Sequence, residues 1–188
     1  VLRFTEIFQT IKRLLDDGEI GRLIAIQHNE NVSFWRQAHS FVRGNWRNSD
    51  ESCPMILAKS CHDMDLLYYL IGAAPVSVAS FGSLNYFNKE SAPEGSTARC
   101  TDDCKYRDNC PYDATKLYLG KNTAWPVDVI SLDTSLDARR KALETGPYGR
   151  CVHRCDNNVV DNQVSIITFF NGVNVAFTMC AFTKGISR

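Results

Sequence analysis

Apolar side chains at Phe4, Ile7, Phe8, Ile11, Leu14 and Leu15 recur every three or four residues, which predicts an amphipathic helix that Asp16-Asp17-Gly18 ends. After Gly21 a short β-branched-rich run, Leu23-Ile24-Ala25-Ile26, predicts a strand reaching about Glu30. No period is sustained over 31–54. That stretch carries Trp35, Arg36, His39, Arg43, Trp46 and Arg47, and a long ordered loop of this composition points to function rather than connection. Pro54 opens a second predicted helix, in which Ile56, Leu57, Leu66, Leu67, Leu70 and Ile71 are apolar and Gly72 is the stop. Its middle is polar: Lys59, His62, Asp63, Asp65. Loose alternation over 76–87 predicts another strand, whereas 88–113 is polar, cysteine-bearing and short of core residues, the profile of an insertion. Leu136, Arg139, Arg140 and Leu143 predict a short helix before Gly146-Pro147-Tyr148-Gly149. Two alternating runs, Val160 to Phe170 and Val173 to Met179, flank Asn171-Gly172, a strong hairpin signature. The sum is one α+β domain over 1–188: a largely antiparallel open sheet, one face covered by the helices near 4–16 and 55–71, plus the Cys-rich insertion.

Composition narrows the partners. With 44% hydrophobic and 22% charged residues the 188-residue chain is globular, and 21 basic against 21 acidic side chains leave no net field to gather nucleic acid or an anionic membrane. The only long uncharged stretch, 66–88, is broken by Gly72 and Pro75 and does not read as a membrane span. The opening residues are amphipathic and charged, unlike a signal peptide, and the first residue is Val, so a piece of a longer chain is expected. Eight cysteines in 188 residues fall below the density of a secreted disulfide scaffold; a reducing cytoplasm is the expected compartment.

Three constellations could carry chemistry. Lys59, His62 and Asp63 are three and four apart on a helix, so an amine, an imidazole and a carboxylate could meet near one ligand and move a proton near neutral pH; a solvated helix face is the plainer alternative. Cys100-x3-Cys104-x5-Cys110 in a polar loop, with Cys151-x3-Cys155 downstream, suits a structural zinc site of four soft ligands; an iron–sulfur cluster, disulfides or free thiols stay open. Arg36, Arg43 and Arg47 could clamp a carboxylate or a hydroxyl-rich ligand, with His39 nearby, while Trp35 and Trp46 offer faces on which sugar rings stack or else plug a sheet edge. No G-x-G and no G-x-x-x-x-G-K-[ST] occurs, so this chain offers a dinucleotide neither of those phosphate cradles.

Helix, Gly18-Glu19-Ile20-Gly21-Arg22-Leu23, strand, and then a helix with a His followed by Asp65-Leu66-Leu67 before Gly72-x-x-Pro75 resembles the C-terminal domain of the Gfo/Idh/MocA oxidoreductases. H-S-F-V-R-G-N-W-R at 39–47, A-K-S-C-H-D-M-D-L-L at 58–67, R-C-x-x-x-C at 99–104, C-P-Y at 110–112 and G-P-Y-G-R-C-V at 146–152 resemble one dehydrogenase branch of it. The resemblance implies a two-domain NAD- or NADP-dependent enzyme acting on a sugar, cyclitol or related polyol. Its N-terminal Rossmann half would bind the cofactor and supply a lysine, and this chain, inactive alone, would bind substrate and form the oligomer through its sheet. It also implies further strands beyond Arg188, and an Asp four residues before a relay His. His62 matches the His, but Ala58 stands at the Asp position, which leaves Lys59 and Asp63 as the charged neighbours. An NAD-dependent glycoside hydrolase of the same fold, and a non-catalytic zinc-stabilised binding or assembly module, are the rival expectations.

Overall fold

The computed structural model describes residues 1–185. Its centre is a four-stranded sheet of Ala25–Ser33 (β1), Pro75–Ser83 (β2), Asn162–Phe169 (β3) and Asn174–Thr183 (β4), in the order β1-β4-β3-β2. β3 and β4 form the predicted hairpin, with Gly172 at φ 85° in the turn, where a side chain would be strained. β2 adds antiparallel to β3, and β1 adds parallel to β4. The sheet is thus mostly antiparallel with one parallel edge.

Strand alternation sorts the two faces. Ile167, Phe169, Val175, Phe177 and Met179 point inward against Val32, Phe41, Met55, Leu67 and Ile71, and these residues form the main core. The helices over that core differ from the expected pair. Glu6–Asp16 (α1) is strongly amphipathic but buries no residue; it lies beside Cys61–Ile71 (α4), where Arg3 pairs with Asp65, and does not cover the sheet. The helix expected from 55 to 71 is two helices, Met55–Ala58 (α3) and α4, because Lys59 and Ser60 leave helical geometry. Nor is 31–54 simply a loop: Phe34–Gln37 (α2) runs into a π-helical turn, Ala38–Arg43, whose side chains are mostly buried.

The excursion between β2 and β3 is also less bare than its composition predicts. It contains Ala114–Tyr118 (α5) and Leu136–Thr145 (α6), the latter capped by Ser135. Phe87, Tyr112 and Val152 pack with Ala38, Val42 and Ala181 in one small apolar cluster, and Ala114, Tyr118, Val127 and Leu143 make another. Buried Asp161 closes its base by accepting the backbone N–H groups of Asn85 (3.0 Å) and Tyr86 (2.7 Å). Among the described residues no helix is long and apolar enough to cross a membrane.

Candidate functional site

β1 carries polar residues on its inward face, where apolar ones are the rule, and each is met by a partner from the helical layer. Glu30 pairs with Lys59, which the break between α3 and α4 turns inward. Asp63 Oδ1 accepts a hydrogen bond from His28 Nε2 at 2.8 Å, and the His28 ring stacks on Phe177. Lys59, His62 and Asp63 therefore do not converge as helical spacing predicts. Asp63 is fully buried against β1, and Lys59 reaches back to the same strand.

His62 instead borders a cavity of about 310 Å³ together with Ala58 and Lys59, with Arg36, Ser40, Phe41 and Trp46 from the 34–46 segment, and with Val1 and Leu2. His62 Nδ1 lies 3.3 Å from the Lys59 carbonyl oxygen, which favours the tautomer protonated there and leaves Nε2 as the ring atom able to exchange a proton. Arg36 forms no ion pair among the described residues; its guanidinium lies over Trp125 at 5.4 Å, and Trp125 meets the edge of Trp35 at 5.5 Å. Trp125 was invisible to motif reasoning because it lies in the excursion, nearly 80 residues beyond the loop it completes. Ser40 and Phe41 were missed because no motif marks them.

The other expected ligand-binding residues are engaged elsewhere. Arg47 is tied to Asp156 and Glu51, and with Arg150 it holds the Asp156 carboxyl well below the usual carboxylate range. His39 is buried, stacked on Tyr148 at 5.0 Å and hydrogen bonded through Nδ1 to the Tyr118 hydroxyl at 2.7 Å. Burial first, then the nearby charges of Arg43 and Arg36, push its pKa down to about 4. Arg43 is buried and clamps the carbonyl oxygens of Arg150 and Tyr112, each at 2.7 Å. Trp35 borders a neighbouring cavity with Arg43, Tyr112 and Lys116. Of the six loop residues, Arg36 and Trp46 alone line the cavity with His62.

The expected metal ligands divide as well. Cys100, Cys104, Cys110 and Cys151 border one small cavity. Cys155 turns away: its Sγ donates to the Cys151 carbonyl at 3.3 Å, and burial pushes the thiol up to about 11. Among the described residues no group of three or more His, Cys, Asp or Glu side chains is arranged, as it stands, to hold a metal ion, and every cysteine is a free thiol.

An open-faced α+β domain, its helices on one side of a mostly antiparallel sheet and a polar cavity at the edge of that layer, is the class these features define. The chain belongs to the Gfo/Idh/MocA oxidoreductase family: the model of that family's C-terminal α/β domain matches residues 12–187. It is 30% identical over 114 residues to "Putative oxidoreductase YteT" of Bacillus subtilis (strain 168), covering 58% of this chain and 26% of that protein. Among solved structures, a putative myo-inositol dehydrogenase from Sinorhizobium meliloti 1021 superposes with a TM-score of 0.51 at 13% identity, over 98% of this chain and 35% of that one. The super-repressor mutant of Gal80p from Saccharomyces cerevisiae gives 0.51 at 12% identity, over 96% and 34%. The chain therefore spans between a quarter and about a third of the length of these relatives.

Proposed function

We propose that this chain is the substrate-holding half of an NAD- or NADP-dependent dehydrogenase acting on a sugar, cyclitol or related polyol. The observation that carries the reading is the His62 cavity: an imidazole, a guanidinium with no ion-pair partner among the described residues, and an indole around a space of about 310 Å³, in a chain of this oxidoreductase family. The residues present fit the substrate side of such a reaction only, since the chain has no glycine-rich phosphate cradle and the cofactor belongs to a nucleotide-binding domain outside it. That cofactor, when bound, accepts the hydride. Trp46 gives a ring face to a sugar carbon skeleton, Arg36 and Ser40 hydrogen bond hydroxyl groups, and His62 Nε2 takes the proton of the reacting hydroxyl.

The test uses the intact protein. His62→Asn should lower kcat by about 10² while leaving KM within a few-fold, as when an acid–base group is removed from an unaltered pocket. Undiminished turnover overturns the role. A non-catalytic ligand-binding module is the second reading, favoured by Ala58 at the position where the family resemblance implies a carboxylate and by the likeness in fold to a repressor. It predicts saturable polyol binding with no nicotinamide reduction by the intact protein.

A further inference from the structure

The excursion between β2 and β3 brings four cysteines from two distant segments to one place, and the backbone shows how. Residues 98–100 and 149–151 run antiparallel about the bridged pair Arg99 and Arg150, with Cys100 N–H on the Gly149 carbonyl (2.8 Å) and Cys151 N–H on the Ala98 carbonyl (2.9 Å), which places Cys100 and Cys151 diagonally across the bridge on one face. A chain of tight turns then folds 102–110 back, through Cys104 N–H to the Asp102 carbonyl (2.9 Å) and Cys110 N–H to the Arg107 carbonyl (3.3 Å). Lys116 Nζ fixes this turn from outside by donating to the carbonyls of Arg107 and Asp108 at 2.7 Å. All four cysteines border the same small cavity of about 30 Å³, room for a single small guest, and they also border a wider one of about 190 Å³.

One further feature, the side chain of Arg43, points to an anionic sulfur cluster. Its guanidinium is buried, donates to two carbonyl oxygens and approaches Cys100 Sγ at 3.4 Å, and it has no carboxylate partner among the described residues. A buried cation without a counter-anion is costly, and neutral thiols do not offset it.

We propose that Cys100, Cys104, Cys110 and Cys151 bind one zinc ion as a tetrathiolate, with Arg43 as its buried counter-cation. Four thiolates around a dication carry net charge −2, half of which the guanidinium neutralises, and tetrahedral sulfur ligation is the ordinary structural zinc geometry. The sulfurs are not at coordinating positions as they stand, so binding requires them to draw together around the ion. On binding, each thiol gives up its proton to solvent, so four sulfur–zinc bonds replace four S–H bonds with no change of oxidation state. The site cross-links segments 98–110 and 149–151 and is independent of the reading of the His62 cavity.

Elemental analysis of the full-length protein, purified without chelator, should find about one equivalent of zinc, and cobalt substitution should give the intense visible bands of tetrahedral thiolate ligation. Cys155→Ser should keep the metal, whereas folded Cys104→Ser and Cys151→Ser should lose it. Arg43→Gln should weaken retention against a chelator by roughly tenfold or more. If the wild-type protein is metal-free when freshly purified, holds iron instead, or loses zinc with Cys155→Ser but not with Cys151→Ser, the proposal is wrong; the wild-type measurement stands even if a ligand variant fails to fold.

Discussion

At the scale of single residues, burial decides roles that motif reading cannot. His39 lies in one of the segments that resemble a dehydrogenase branch of the family, and its residue type fits proton transfer, yet it is sealed between Tyr118 and Tyr148 with its pKa near 4. The sign of its linkage follows. The folded pKa is depressed from 6.5, so between about 4 and 6.5 the unfolded chain binds a proton that the folded one does not, and stability rises with pH across that window. The contribution is complete above 6.5 and is lost as the pH falls toward 4, up to about 3 kcal/mol in all. Denaturant titrations from pH 7 to pH 4 should show His39→Gln less stable at neutral pH but flatter than wild type; equal slopes would exclude His39 as the source. His62, which the sequence offers with Lys59 and Asp63 as a proton-transfer candidate, borders the cavity that Arg36 and Trp46 also line. Residue type and spacing made both histidines visible, but only three-dimensional packing separates them.

At the scale of elements, the hairpin was legible because Asn171-Gly172 and the strand alternation are local signals, and so was α6, through its apolar spacing before a glycine turn. The parallel β1–β4 pairing was not, since its partners lie about 150 residues apart and nothing local encodes the contact. The break between α3 and α4 was hidden for a related reason: it serves the pairing of Lys59 with Glu30, a residue on another element. That pair is fully inside and tests how the helical layer is held. Lys59→Met, which leaves the Glu30 carboxylate buried without its ammonium, should cost about 3 kcal/mol or more, and Glu30→Met on the same background should recover most of it. Urea unfolding of the two single variants and the double variant measures the coupling. A coupling within experimental error of zero would show that Glu30 and Lys59 are held by their other neighbours.

At the scale of the whole molecule, the helical layer covers one face of β3 and β4 and leaves the other bare, while β2 is exposed on both faces. Phe81 lies opposite Val164 and Ala79 opposite Ile166, while Val164 and Ile166 face Thr178 and Ala176 on the other side, so three strands present one continuous surface without a charge. Phe81 is 79% exposed and Ile166 50%. An apolar surface of this extent, flat and rimmed by polar positions of β1, is unusual for a protein that stays single. A second copy of the chain is the proposed occupant: two identical uncharged faces meet about a twofold axis without juxtaposing like charges. Sedimentation velocity of the full-length protein at tens of micromolar should show a dimer. Ile166→Asp should shift it to monomer with unchanged circular dichroism, because the side chain points away from the core, while Ile7→Asp on the exposed side of α1 should leave the dimer intact. A wild-type monomer at that concentration, or a dimer broken by Ile7→Asp and not by Ile166→Asp, would move the association surface away from the sheet.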